Sequence, residues 1–177
     1  MNLDTMNYDW DATSFFYTLT RENILCATKG YNFARCSGLD GLEEFIAKMQ
    51  RVTRAVIVSD MSPGYTDVNN APRTRRVKTV FLVCRHRVED MTARNAAMAE
   101  LREIFRQFMS RFLLEKTRIE QGILYFDPRV QFTEISPYFA SGCACAYFQI
   151  AVNTMTDLQY NANEWQCIRV DELTDNG

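Results

Sequence analysis

The stretch from residue 93 to about 120 constrains the fold most. Met98, Leu101, Phe105, Phe108 and Phe112 recur at helical spacing and form one stripe, widened by Ile104, Met109 and Leu113. Arg94, Glu103, Gln107 and Arg111 take the other side. Asp90 or Thr92 caps the start, and Gly122 ends the helix. So long a helix with one apolar stripe needs a broad apolar surface to lie on.

The flanking segments supply that surface. "RVKTVFLVCRHRV", residues 76–88, alternates as a long strand does, and "CACAYFQIAVNT", residues 143–154, reads as a second. In the latter, a period of two puts Cys143, Cys145, Tyr147, Gln149, Ala151 and Asn153 on one face. Ala144, Ala146, Phe148, Ile150 and Val152 take the other, which is wholly apolar and is therefore the core face beneath the helix. The two thiols are expected on the polar side of the sheet.

The rest of the chain gives shorter signals. Residues 11–26 predict a first helix, capped by Asp11 or Thr13, with Phe15, Phe16 and Leu19 on its apolar face; Glu22 and Asn23 interrupt that face. "KGYNFARCSG" is irregular or a short edge strand. Ser37 precedes a second helix carrying Leu39, Leu42, Phe45, Ile46 and Met49, with its start near Asp40 because two glycines weaken the first turn. "RAVIVSD", residues 54–60, is a β-branched strand. "MSPGYTDVNNAPRTR", residues 61–75, holds Pro63, Gly64, Asn69, Asn70 and Pro72 and reads as a long loop. "ILYFDPRVQFTEIS" is a strand-pair region broken at Asp127 and Pro128, and "PYFASG" is a turn. The tail keeps one apolar patch, Trp165, Cys167, Ile168 and Val170.

Successive strands that hairpin loops can join favour antiparallel pairing. The expectation is an α+β fold: an antiparallel sheet of about four or five strands with helices on one face, one of them the long amphipathic helix. One domain is expected over residues 1–177, with an N-terminal helix and extension (1–38), an α+β core (39–158) and a tail (159–177).

Charge is near balance, 20 Lys and Arg against 22 Asp and Glu, which disfavours a globally basic nucleic-acid binder. No apolar run approaches the roughly 20 residues needed to span a membrane. The acidic N-terminus lacks the order of a secretory signal, so a reducing cytoplasm and free thiols are expected for the six cysteines, although an even count allows disulfides. Cys26, Cys36, Cys84 and Cys167 are scattered singly beside the Cys143–Cys145 pair, so no metal site is expected. His86, the single histidine, sits between Arg85 and Arg87 and reads as a surface strand residue rather than a base. Asp60 and Asp67 flank the long loop at loose spacing. No phosphate-cradling glycine loop and no G-x-S-x-G occurs, so no catalytic residues, no cofactor and no enzyme are expected. Arg73, Arg75, Arg76, Lys78, Arg85 and Arg87 gather around one strand, either as a solvated strand end or as a contact for an acidic partner.

Three stretches, "RRVKTVFLVCRHR", "MAELREIFRQFMSRFLL" and "CACAYFQIAVNTMTDL", give a layout that resembles the tail terminator and tail-completion proteins of long-tailed bacteriophages. The resemblance is one of element order, over residues 39–158. It implies a non-enzymatic structural virion protein, made in the host cytoplasm, that forms a homo-oligomeric ring, a hexamer in that family. Its partners there are the tail tube and the head–tail connector, with no membrane and no sequence-specific nucleic acid. The candidate contact is the long loop and its basic neighbours: Tyr65, Asp67, Asn69, Asn70, Arg73, Arg75, Arg76 and Lys78. The alternatives are a small ligand-binding or enzymatic α+β domain using residues 61–75 as a lid, or another connector or adaptor.

Overall fold

In the computed structural model the described residues are 10–48, 52–69, 71–120, 124–135 and 142–165. Met49, Asn70, Gly122, most of the "PYFASG" turn and the tail residues Cys167, Ile168 and Val170 lie outside them, as do the side chains of Leu39 and Phe45. The elements run α1 (Ala12–Glu22), α2 (Ile24–Lys29), β1 (Asn32–Cys36), α3 (Gly38–Lys48), β2 (Arg54–Ser59), β3 (Gly64–Asp67), β4 (Arg73–Arg85), α4 (Met91–Ile119), β5 (Leu124–Phe126), β6 (Gln131–Glu134) and β7 (Cys143–Met155). A 3-10 turn follows at Ala162–Glu164.

The fold is α+β, and its frame is the ribbon of β4 and β7. These two strands of 13 residues pair antiparallel throughout, from Arg73 opposite Met155 to Arg85 opposite Cys143. Each is flanked by two short strands in line. Beside β4 stand β2, opposite residues 80–84, and β3, opposite residues 73–76. Beside β7 stand β6, opposite residues 146–149, and β5, opposite residues 152–154. β1 completes the sheet next to β2.

Three expectations are corrected. The sheet has seven strands rather than four or five: the expected strand pair is β5 and β6, and the additions are β1, read as irregular or a short edge strand, and the four-residue β3, read as loop, which is held by pairing with β4 rather than by a local pattern. It is mixed: β1 runs parallel to β2, because α3 carries the chain back between them. Finally, the helices do not share one face. α1, α2 and α4 cover the even-numbered face of β4 and β7, whereas Leu42 and Ile46 of α3 pack on the other, against Ala55, Ile57, Phe81, Val83, Cys143 and Cys145.

That second core changes the reading of the thiols. Cys143 and Cys145 do share a face with Tyr147, as alternation requires, but α3 roofs them, and both are buried. Burial pushes the Cys145 thiol up to about 12 and raises that of Cys143 as well, so both stay protonated near neutrality and are poor nucleophiles or ligands. The five described cysteines are all free and buried. Cys145→Ser should destabilise the chain by about 1–3 kcal/mol in chemical denaturation, because a hydroxyl would be buried among apolar groups. Cys145→Ala should lose less. A serine variant as stable as the parent would contradict this placement.

The first helix is two. Asn23 ends α1 by donating its backbone N–H to Leu19 O at 3.0 Å, and starts α2 by accepting the Cys26 N–H on Oδ1 at 2.8 Å. Its Nδ2 donates to Gln107 Oε1 at 2.7 Å, tying this corner to α4. Asp11 and Asp90 cap α1 and α4 through Ser14 N and Ala93 N. The α4 stripe is narrower than its sequence suggests. Leu101, Ile104, Phe108 and Phe112 are buried, Phe105 is half-buried between Phe132 and Phe148, and Leu113 is 66% exposed.

One ionic network crosses the main core boundary. Glu100 of α4 accepts from Arg54 Nε at 2.7 Å and from Tyr31 Oη at 2.9 Å, with Lys29 Nζ at 3.7 Å. It fastens α4 to β2 and to the residue before β1. No described helix is long and apolar enough to cross a membrane.

Candidate functional site

The candidate contact residues collect at the outer end of the ribbon, and much of what reads as a long loop is a hairpin. β3 pairs with β4 so closely that a Cβ at Gly64 would stand 2.0 Å from Arg75 O, which only glycine permits. The turn proper spans residues 68–72. Val68 and Asn69 are exposed there, Asp67 Oδ1 accepts from Asn69 N at 3.1 Å, and Asn70 lies outside the described residues.

Strand alternation then sorts the basic residues. Arg73 and Arg75 project from the α3 side of the sheet, Arg76 and Lys78 from the α4 side. Arg85 stands at the other end of β4, roughly 40 Å from Arg73 by strand rise, and donates to Ile46 O at 2.8 Å, so the six basic residues are not one patch.

On the α3 side, β3, β4, β7 and β5 lie side by side and make a platform. One row across it reads Tyr65, Arg75, Asn153, Tyr125; the next reads Asp67, Arg73, Met155. Tyr65 is 64% exposed and Met155 50%. Arg73 donates to Tyr125 Oη at 2.9 Å, and its guanidinium also stands 5.3 Å from that ring's centre. Arg75 pairs with Asp127 at 2.9 Å. Hydrogen bonds from Arg129 N and Arg75 hold the Asp127 carboxyl below its ordinary value. Arg75 therefore spends its fork on a carboxylate of its own chain rather than on a neighbour's. Among the described residues no helix packs on this platform. Between it and α3 lies a hollow of about 400 Å3, lined by Phe81 and Tyr147 and bounded by Met61, Thr79 and Gln149.

Tyr125, Asp127 and Met155 join the site without having been singled out in the sequence. Only the β7 register brings them there. The two acids that flank the long loop have separate duties: Asp60 binds Arg35 Nε at 2.7 Å, and Asp67 closes the turn. His86 follows β4, and its Nδ1 lies 2.8 Å from Arg87 O. No group of three or more His, Cys, Asp or Glu suited to a metal occurs among the described residues.

The α4 side of the same outer end differs. Thr66, Thr74 and Thr156 link their hydroxyls at 3.0 and 2.6 Å, and beside them a hollow opens above Arg76 and Lys78. Neither the models of known protein families nor the curated protein sequences contain a match to this chain.

Proposed function

We propose that the chain is a non-enzymatic structural subunit that assembles with copies of itself into a ring through the outer platform, in the manner of the phage tail-completion proteins its layout resembles. The observation that carries this reading is the platform, on which no helix packs among the described residues: a four-stranded sheet end presenting Tyr65, Arg73, Tyr125 and Met155. Tyr, Arg and Met are the residue types enriched where protein surfaces meet. Ring closure needs two different surfaces per subunit, so the platform would meet another part of a neighbour. The exposed Leu113 and Leu114 on α4 offer one such apolar patch. In the virion such a ring would sit between tail tube and head–tail connector. Of the segment considered as a lid, residues 64–67 are strand β3 paired with β4 rather than loop.

The test is a double variant, Tyr65→Ser with Val68→Ser. Both side chains point to solvent, 64% and 75% exposed, so the melting temperature should hold while oligomer content in light scattering falls about tenfold or more, as expected for loss of an aromatic anchor. Unchanged assembly at equal protein concentration would remove the platform from the interface.

A further inference from the structure

On the α4 side, β4 runs outward as Cys84, Leu82, Val80, Lys78, Arg76. The first three are core. Opposite the two cations β7 keeps apolar partners: Lys78 stands across from Ile150 and Arg76 from Val152, which are 0% and 7% exposed. Two positive charges thus occupy positions where strand alternation would continue the core. Over them lies a hollow of about 250 Å3, walled by Trp10 and reaching Ser62 and Thr154. The carboxylate in its described lining, Asp60, is already engaged by Arg35. Lys78 is half-buried and makes no hydrogen bond or ion pair among the described residues. The Ser62 hydroxyl is shielded from solvent and has no partner among the described residues. A partly desolvated Lys78 ammonium and an unpaired hydroxyl are costly unless something accepts their hydrogen bonds. At ~30 Å3 per water the hollow has room for about eight, the bulk of one small ring with an acid group.

We propose that this hollow binds a small organic carboxylate with a flat apolar body. The carboxylate lies on Lys78 and the Ser62 hydroxyl, and the body packs between Trp10 and Val152. The site is independent of the ring reading: it lies on the opposite face from the platform and needs no second copy.

Trp10 reports the occupant directly. The chain has two tryptophans, so Trp165→Phe leaves Trp10 as the sole tryptophan, excited selectively at wavelengths that tyrosine does not absorb. Benzoate, titrated to about 10 mM, should change its emission saturably, since even a weak site with a Kd near 1 mM fills in that range. Lys78→Met should weaken the response about tenfold or more, the equivalent of one charge-assisted hydrogen bond, and Ser62→Ala should weaken it less. Lys78→Gln carries the same comparison if the methionine variant is unstable. Inorganic phosphate, which brings charge without a body, should bind more weakly than benzoate. No saturable change, an undiminished response in both Lys78 variants, or phosphate matching benzoate would each overturn the assignment.

Discussion

Phe108→Ala should lower the stability of the chain by about 3–5 kcal/mol, read as a shift in the denaturation midpoint at constant slope. Phe108 is 1% exposed, its ring centre 6.1 Å from that of Phe16, so its loss opens a cavity between α1, α4 and the sheet. Neither neighbour collapses into that space easily. Phe16 is held edge-on by Phe15 and Phe148, and α4 is pinned along its length by Phe105 over Phe148 and by Phe112 against Phe126. Phe105→Ala should cost less than Phe108→Ala, because Phe105 is half-buried, although its ring lies 4.5 Å from that of Phe132 and 5.2 Å from that of Phe148. A loss below about 1 kcal/mol at Phe108 would mean that this face of α4 looks toward a partner rather than toward the sheet.

Glu100→Ala is the second large effect, on the order of 3 kcal/mol, because it strands the half-buried Arg54 without its carboxylate. Desolvation alone would raise the Glu100 pKa. Hydrogen bonds from Arg54 and Tyr31, with the charges of Arg54 and Lys29, outweigh it and hold the carboxyl below its ordinary value of 4.5. A folded-state pKa below the unfolded one means that the stabilisation is fully present above about pH 4.5 and is lost as pH falls through the folded value. Stability measured against pH should therefore drop on the acid side in the parent. In Glu100→Gln that drop should be shallower, starting from a lower plateau. Parallel acid limbs in parent and variant would contradict a charged Glu100 in the native state.

How far the sequence reveals this molecule depends on how local each cause is. α4, β4 and β7 are legible because a single period runs through many residues, and the alternation in 143–154 sorts the side chains of β7 onto its two faces and picks out the core face beneath α4. β3 is not legible. Four residues beside a proline and a glycine look like loop, and what makes them strand is the close approach of Gly64 to Arg75 O, a contact with a segment further along the chain. The parallel β1–β2 pair likewise depends on where α3 lays the chain. Cys143 and Cys145 look solvent-facing because Gln149 and Asn153 share their face, yet only the inner end of that face is roofed by α3. At the candidate site, the clustering of arginines in sequence suggests one patch. Alternation divides Arg73 and Arg75 from Arg76 and Lys78, and the β5–β7 register, which no local pattern encodes, adds Tyr125 and brings Asp127 to Arg75. The apolar face of α3 illustrates the converse: Leu42 and Ile46 are readable as buried from spacing alone, and they are buried, but on the side of the sheet that the other helices leave open.

Native mass spectrometry of the full-length chain, alone and mixed with phage tail tubes, tests the ring reading most directly. The reading predicts one dominant closed oligomer, six subunits if the resemblance to tail terminators extends to stoichiometry, formed alone or on the tubes and lost with Tyr65→Ser and Val68→Ser. A monomer under both conditions, across a range of protein concentrations, would contradict it.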